Sequence, residues 1–169
     1  MELKTEVLDR KSMGVAASLV SLLIDEYVLC VRTRDARRNV NGRNISELRM
    51  LFGDQCKYLD RIVLEMSRKA RALGELAPVT FTNCMEATRL ERHKERLTGQ
   101  NQIMEALLDD HESIIRFLSE EYSGATDETI NSGIAGFMSG LLGQHIEMAR
   151  ALKDRLKDDA LEKYKGINP

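Results

Sequence analysis

Thr33-Arg-Asp-Ala-Arg-Arg-Asn-Val-Asn-Gly-Arg-Asn-Ile-Ser-Glu-Leu-Arg-Met-Leu-Phe52 joins the end of one apolar-periodic segment to the start of another. Asn41-Gly42 inside it is turn chemistry, because both residues tolerate backbone angles that most residues avoid. Asn44 follows as a helix N-cap, and Glu47 three residues later completes a capping-box pattern. The helix it opens, B, carries Leu48, Leu51, Phe52, Cys56, Leu59, Ile62, Val63, Met66, Ala70 and Leu73 at three-and-four spacing. Gly74 stands where a helix C-cap is expected. Upstream, helix A is predicted over about 6–34, with Val15, Leu19, Leu22, Leu23, Tyr27, Cys30 and Val31 along one face.

Downstream of Gly74 a long crossover runs to Leu97, with a short helix expected around Phe81 to Thr88. Thr98 is placed to cap helix C, whose stripe is Ile103, Leu107, Ile114, Phe117, Leu118 and Tyr122, and Ser123-Gly124 ends it. Helix D is predicted from about Thr126, with Asp127 and Glu128 at the positive end of its dipole. Its stripe is Ile130, Ile134, Phe137, Met138, Leu141, His145, Met148 and Leu152. Two tight αα-hairpins joined by one long crossover give an all-α, ferritin-like four-helix bundle rather than an up-down-up-down one. The reading is a single domain over 1–169, with short polar tails at about 1–10 and 157–169.

Bulk properties agree. A chain of 169 residues suits one domain with a sizeable core. With 31% charged residues, two prolines and no tryptophan, the composition favours helices over sheet. A formal net charge of −2 excludes strong whole-protein attraction to nucleic acid. Cys30, Cys56 and Cys84 form neither a disulfide framework nor a zinc motif, and Cys30 and Cys56 read as small buried hydrophobes. Residues 1–12 are polar and evenly charged, unlike a signal peptide. The apolar run Val15 to Ile24 is too short and interrupted to span a bilayer. A cytoplasmic location without membrane attachment is expected.

The segment from Thr33 to Gly74 resembles the helix A/helix B region of Dps proteins, the miniferritins, whose pattern there is T-R-x-x-H-W-N-V-x-G-x-x-F-x-x-L-H-x-x-F. Leu107-Leu-Asp-Asp-His-Glu112 resembles their L-L-x-D-H-E, and Leu141-Leu-Gly-Gln-His-Ile-Glu-Met-Ala149 their L-M-E-Q-H-E-K-M-A. The resemblance covers about residues 12 to 155 and implies the same fold, a short helix in the B–C connection, and hollow dodecamers, with a dimer as the smaller alternative.

It also implies where a metal site belongs. The family's ferroxidase centre lies between subunits, with two histidines from one chain and an aspartate and a glutamate from its two-fold mate. In this chain those positions carry Arg37, Arg49, Leu64 and Arg68. A guanidinium has five donors and no lone pair to offer, so none of the arginines ligates iron. Arg38 stands where the family has tryptophan, and Gly53 where it often has an acid. An intrabundle site is not expected either. Glu65-Met-Ser-Arg68 has arginine where histidine belongs, and His145-Ile-Glu147 has the wrong order. His111 and His145 match family positions that are not iron ligands and are expected to be hydrogen-bonded. His93 falls in a charged crossover as a solvated residue. No cofactor is expected; iron enters only if a non-standard site oxidises or stores it.

Arg34, Arg37, Arg38, Arg49 and Arg68 then form either an interface salt-bridge network, with Asp35, Asp54, Asp60 or Glu65, or a pocket for phosphate, sulfate or carboxylate. Gly133, Gly136, Gly140 and Gly143 recur at helical spacing, each costing about 1 kcal/mol relative to alanine. Close approach of a neighbouring helix or subunit is the expected reason. Gly136 falls where the family often has an aspartate lining its three-fold pore. The termini interleave cations with acids, so DNA binding is expected to be weak or absent. The leading expectation is a Dps-like shell protein with an inactive inter-subunit ferroxidase site, in a structural or binding role within stress or iron physiology, and a partner for co-assembly with an active paralogue. The alternatives are an iron-oxidising miniferritin with a non-standard site, and a weak non-specific DNA-binding nucleoid protein.

Overall fold

The computed structural model describes residues 2–76, 80–92, 97, 99–122 and 132–167. Helices α1 (Glu2–Asn39), α2 (Ile45–Ala72), α3 (Phe81–Ala87), α4 (Gln100–Tyr122) and α5 (Ser132–Ile167) account for nearly all of them. α1 packs along α2 and α4 along α5, with α1 also touching α3 and α4. This is the ferritin-like four-helix bundle expected from two hairpins and one crossover, with α3 as the short helix in that crossover. Thr98, Ser123-Gly124, the expected start of helix D with Asp127, Glu128 and Ile130, and His93 lie outside the described residues.

The stripes read from sequence form one core. Leu19, Leu22 and Leu29 of α1, Phe52, Leu59 and Met66 of α2, Met104 and Leu118 of α4 and Leu152 of α5 are fully buried. Each such side chain contributes about 1.5–3 kcal/mol through burial. Cys30, Cys56 and Cys84 are all buried free thiols. By length and composition, Gly14–Asn39 meets the test for a membrane span, which the shorter run Val15 to Ile24 did not suggest. Half of it is buried inside the bundle, and the buried carboxylates Asp25 and Glu26 interrupt it.

Turn chemistry holds at two of three places. Gly42 adopts φ 151°, and the Gln100 side chain occupies the space a Cβ would need, so glycine is required. After α2, Gly74 takes φ 87° while Gly74 N donates to Arg71 O (3.0 Å) and Glu75 N to Ala70 O (3.0 Å), a Schellman closure. The capping box at Asn44 and Glu47 does not form. Asn44 occupies the N-cap position at φ −100°, ψ 42° without a side-chain cap bond. Glu47 instead pairs with Arg155 of α5 at 2.5 Å, a charge-assisted bond that outcompetes a reach back to its own helix start.

Helix ends also differ from expectation. α1 runs from Glu2 to Asn39 rather than over about 6–34, and α5 continues through the segment 157–167 read as a tail. Asp159 on that extension is buried and bonds Gln100 at the start of α4. A parallel bridge between Asn41 and Gly99 joins the α1–α2 turn to the same place. In the crossover, Thr80 caps α3 by accepting from Asn83 N at 3.2 Å. Asp25 of α1 then clamps the following segment. It accepts from Thr88 Oγ1 (2.7 Å), Arg89 N (2.9 Å) and Arg89 Nε (2.8 Å). The Arg89 guanidinium lies 3.5 Å from the centre of the Phe117 ring.

Candidate functional site

Three-and-four spacing puts Arg34, Arg37 and Arg38 on one side of the last turns of α1. The same periodicity puts Arg49, Gly53, Cys56, Lys57 and Asp60 along one side of α2. Where the helices meet, these residues line a concave pocket of about 450 Å³. Arg37 and Arg38 end α1, where cations complement the negative end of the dipole.

The pocket is short of counter-charge. Of the four expected acidic partners, Asp60 alone meets an arginine of the cluster, accepting from Arg34 Nη2 at 2.5 Å. Asp54 pairs with Lys57 at 3.0 Å, Glu65 with Lys69 at 3.8 Å, and Asp35 accepts from the Asn39 amide at 2.7 Å. Among the described residues, no carboxylate pairs with Arg37, Arg38 or Arg49, and all three are exposed. Arg37 lies over Gly53, where a Cβ would stand 3.2 Å from its Nε and 3.3 Å from its Cζ.

Two thiols sense this field. Burial raises the Cys56 thiol, and the nearby guanidiniums of Arg34, Arg37 and Arg38 act against it, with Asp60 adding to the rise. Cys30 is pushed up to about 12, first by burial and then by its bond to Asp60 (3.1 Å). Both are protonated at neutral pH.

Leu64 and Arg68 do not join this pocket within one chain. They sit exposed farther along α2, and fifteen helical residues from Arg49 to Leu64 correspond to about 22 Å. Gly136 is exposed on α5 with no atom within 4 Å of where its Cβ would be, and the same holds for Gly140 and Gly143. Their glycines therefore do not serve a close helix contact inside this chain.

A second polar cluster, missed in the sequence, lies in the bundle centre. Glu26 of α1, His111 of α4 and His145 of α5 are all 0% exposed. His145 Nε2 meets Glu26 Oε1 at 2.7 Å, and its Nδ1 meets His111 Nδ1 at 2.9 Å. One of the two Nδ1 atoms must donate and the other accept, so the three residues form a directional chain. Burial, then the neighbouring His145, lowers the His111 pKa well below its ordinary value and keeps the ring neutral. Both histidines are hydrogen-bonded as expected, but not through their sequence neighbours. Asp110 is held by Arg32 at 2.6 and 2.8 Å, and Glu112 by Lys153 at 2.7 Å. The available signal was Glu26 itself, a carboxylate on the apolar face between Leu22 and Cys30. Among the described residues no group of three His, Cys, Asp or Glu converges to hold a metal ion. Within the cluster, Glu26 Oε2 and His111 Nε2 are buried without a hydrogen-bond partner among the described residues.

An apolar cleft of about 500 Å³ between α1, α3 and α4 is the contrasting concavity. Both of its arginines are engaged by protein oxygens: Arg32 holds Asp110 and Glu91 O, and Arg92 Nη2 donates to Met85 O at 2.7 Å.

No protein-family profile matches the chain. It is 25% identical over 154 residues to an uncharacterized low temperature-induced protein of Nostoc sp., covering 91% of this chain and 86% of that one. A homologue in Anabaena variabilis matches to the same extent. Among solved structures, Dps from Thermosynechococcus elongatus superimposes with a TM-score of 0.81 at 18% identity, covering 89% of this chain and 94% of that chain. The DPS protein of Vibrio cholerae gives 0.78 at 20% identity, with 88% and 92% covered. A dodecameric thioferritin, the bacterioferritin-related protein of Bacteroides fragilis, gives 0.83 at 14% identity, with 98% of each chain covered. On these superpositions, this chain has the ferritin-like fold of the Dps miniferritins.

Proposed function

We propose that this protein is a shell-forming, Dps-like subunit that does not run iron oxidation at the inter-subunit position. The observation that carries this reading is the pocket of guanidiniums at Arg37 and Arg49, the positions where the resemblance puts two metal-binding histidines. A cation pocket repels Fe²⁺, and like charges a few ångströms apart interact by about 1–4 kcal/mol near a protein surface. Leu64 and Arg68, the remaining two positions, supply no oxygen ligand and lie exposed on α2 for a second copy to meet.

Assembly is supported by two surfaces. Leu64 is 53% exposed, and the open glycines Gly136, Gly140 and Gly143 line one side of α5. Each glycine costs helix stability that nothing in the single chain repays. The dodecameric state of one structural neighbour, the thioferritin of Bacteroides fragilis, fits such a closed shell. The relative in Nostoc sp. is a low temperature-induced protein, which supports a stress-related role.

Light scattering on the purified protein, run beside Fe(II) oxidation by peroxide, tests both halves. A multi-subunit particle that oxidises iron at the protein-free rate is expected. A stable monomer refutes the shell, and fast saturable oxidation refutes the loss of the centre.

A further inference from the structure

We propose that the pocket between α1 and α2 is a binding site for a small phosphate-bearing anion with two or more phosphoryl groups, held by Arg37, Arg38 and Arg49 with Lys57 at its edge. Every residue concerned belongs to one chain, and in the proposed assembly Leu64 and Arg68 of a second copy would border the same pocket.

Four observations converge. The pocket is concave and, at about 450 Å³, has room for a pyrophosphate-sized group rather than for a nucleic-acid duplex. Arg34, Arg37, Arg38, Arg49 and Lys57 line it, whereas Asp60 is its single lining carboxylate and is already engaged by Arg34. Three guanidiniums remain without an ion pair among the described residues, and each offers a planar fork that matches two phosphate oxygens. Finally, α2 carries a glycine in mid-helix at Gly53, where Arg37 lies flat across the backbone. A mid-helix glycine is unfavourable, and here it creates the seat that turns Arg37 over the pocket.

The apolar cleft beside α3 lacks this property, because Arg32 and Arg92 are both engaged there by protein oxygens. Some surface cations elsewhere are paired. Lys153 pairs with Glu112 at 2.7 Å and Arg155 with Glu47 at 2.5 Å. Arg43, Arg68, Arg71 and Arg116 also lack an ion pair among the described residues, but none of them lines the α1–α2 pocket, where three unpaired guanidiniums share one concavity.

The test is calorimetric titration of the full-length protein in chloride buffer with pyrophosphate, with inorganic phosphate, and with a short DNA duplex. Expected is one saturable pyrophosphate site per chain, at least about tenfold tighter than phosphate and weakening as salt rises. The double variant Arg37→Gln/Arg49→Gln should lose at least about tenfold in affinity, while Arg116→Gln on α4 should not. Gly53→Ala keeps every charge but intrudes on Arg37. It should weaken pyrophosphate severalfold while circular dichroism confirms an intact helical bundle. Pyrophosphate binding that is absent, or equal in the double variant and wild type, overturns the proposal. So does phosphate binding as tight as pyrophosphate, and so does binding of the duplex alone, which assigns the cations to a nucleic-acid backbone.

Discussion

Arg37 on α1 lies across Gly53 on α2, its Nε 3.2 Å and Cζ 3.3 Å from where a Cβ at Gly53 would stand. The two residues replace a histidine and an acid in the pattern that the surrounding sequence resembles, and they fit one another. The glycine clears the ground on which the guanidinium rests. Gly53→Ala therefore has opposing effects on the fold. Helix propensity favours alanine by about 1 kcal/mol, and Arg37, being exposed, yields by swinging outward. Urea denaturation should show stabilisation of up to about 1 kcal/mol. A loss of more than about 1 kcal/mol would mean that Arg37 is held rigidly in place.

The buried histidine chain sets an acid limit on stability. The folded-state pKa of His111 lies well below its ordinary value of 6.5. The unfolded chain thus takes up a proton that the folded chain refuses, and stability falls as pH drops below about 6.5 towards the folded-state value. The slope from this one group is at most about 1.4 kcal/mol per pH unit. In His111→Leu, the descent below pH 6.5 should flatten. The same variant should lose about 1–3 kcal/mol at pH 7.5, because His145 Nδ1 loses its partner. An unchanged acid profile in that variant would show that another group carries the titration.

The thiols offer a chemical probe of the same packing. With Cys30, Cys56 and Cys84 all buried and each raised by burial, a thiol-disulfide reagent at pH 7.5 should find none of them quickly. All three should react once denaturant is added. Rapid stoichiometric labelling of one cysteine in native buffer would count against the packing of the segment that holds it.

The open glycines of α5 separate two structural roles. If that face is packed against another subunit, Gly140→Leu should leave helical circular dichroism intact and shrink the particle seen by light scattering. If the face is bare, the variant should keep its mass and gain roughly 1 kcal/mol from better helix propensity. The proposed shell requires the first outcome.

Much of the architecture was legible because it rests on patterns that the core enforces. The stripe from Leu48 to Leu73 became the buried face of α2, and Asn41-Gly42 and Gly74 punctuate the chain where backbone geometry demands glycine. The arginine cluster was legible too, since residues at 34, 37 and 38 share one side of a helix. That Asp54 and Glu65 would turn to Lys57 and Lys69 was not, because surface carboxylates choose among partners of similar energy. Glu47 escaped for a related reason: Arg155 comes to it from more than a hundred residues away. The Glu26–His145–His111 chain was hidden most deeply. Only tertiary packing brings α1, α4 and α5 together there, and sequence neighbours gave each histidine a plausible but unused acid.

The most direct measurement is the rate of Fe(II) oxidation by hydrogen peroxide with the assembled protein, against a protein-free control at the same pH. Expected is the control rate at every Fe(II) concentration, as Arg37 and Arg49 offer the metal no lone pair. A saturable, protein-dependent acceleration with a fixed number of irons per chain would contradict the proposed loss of the inter-subunit centre.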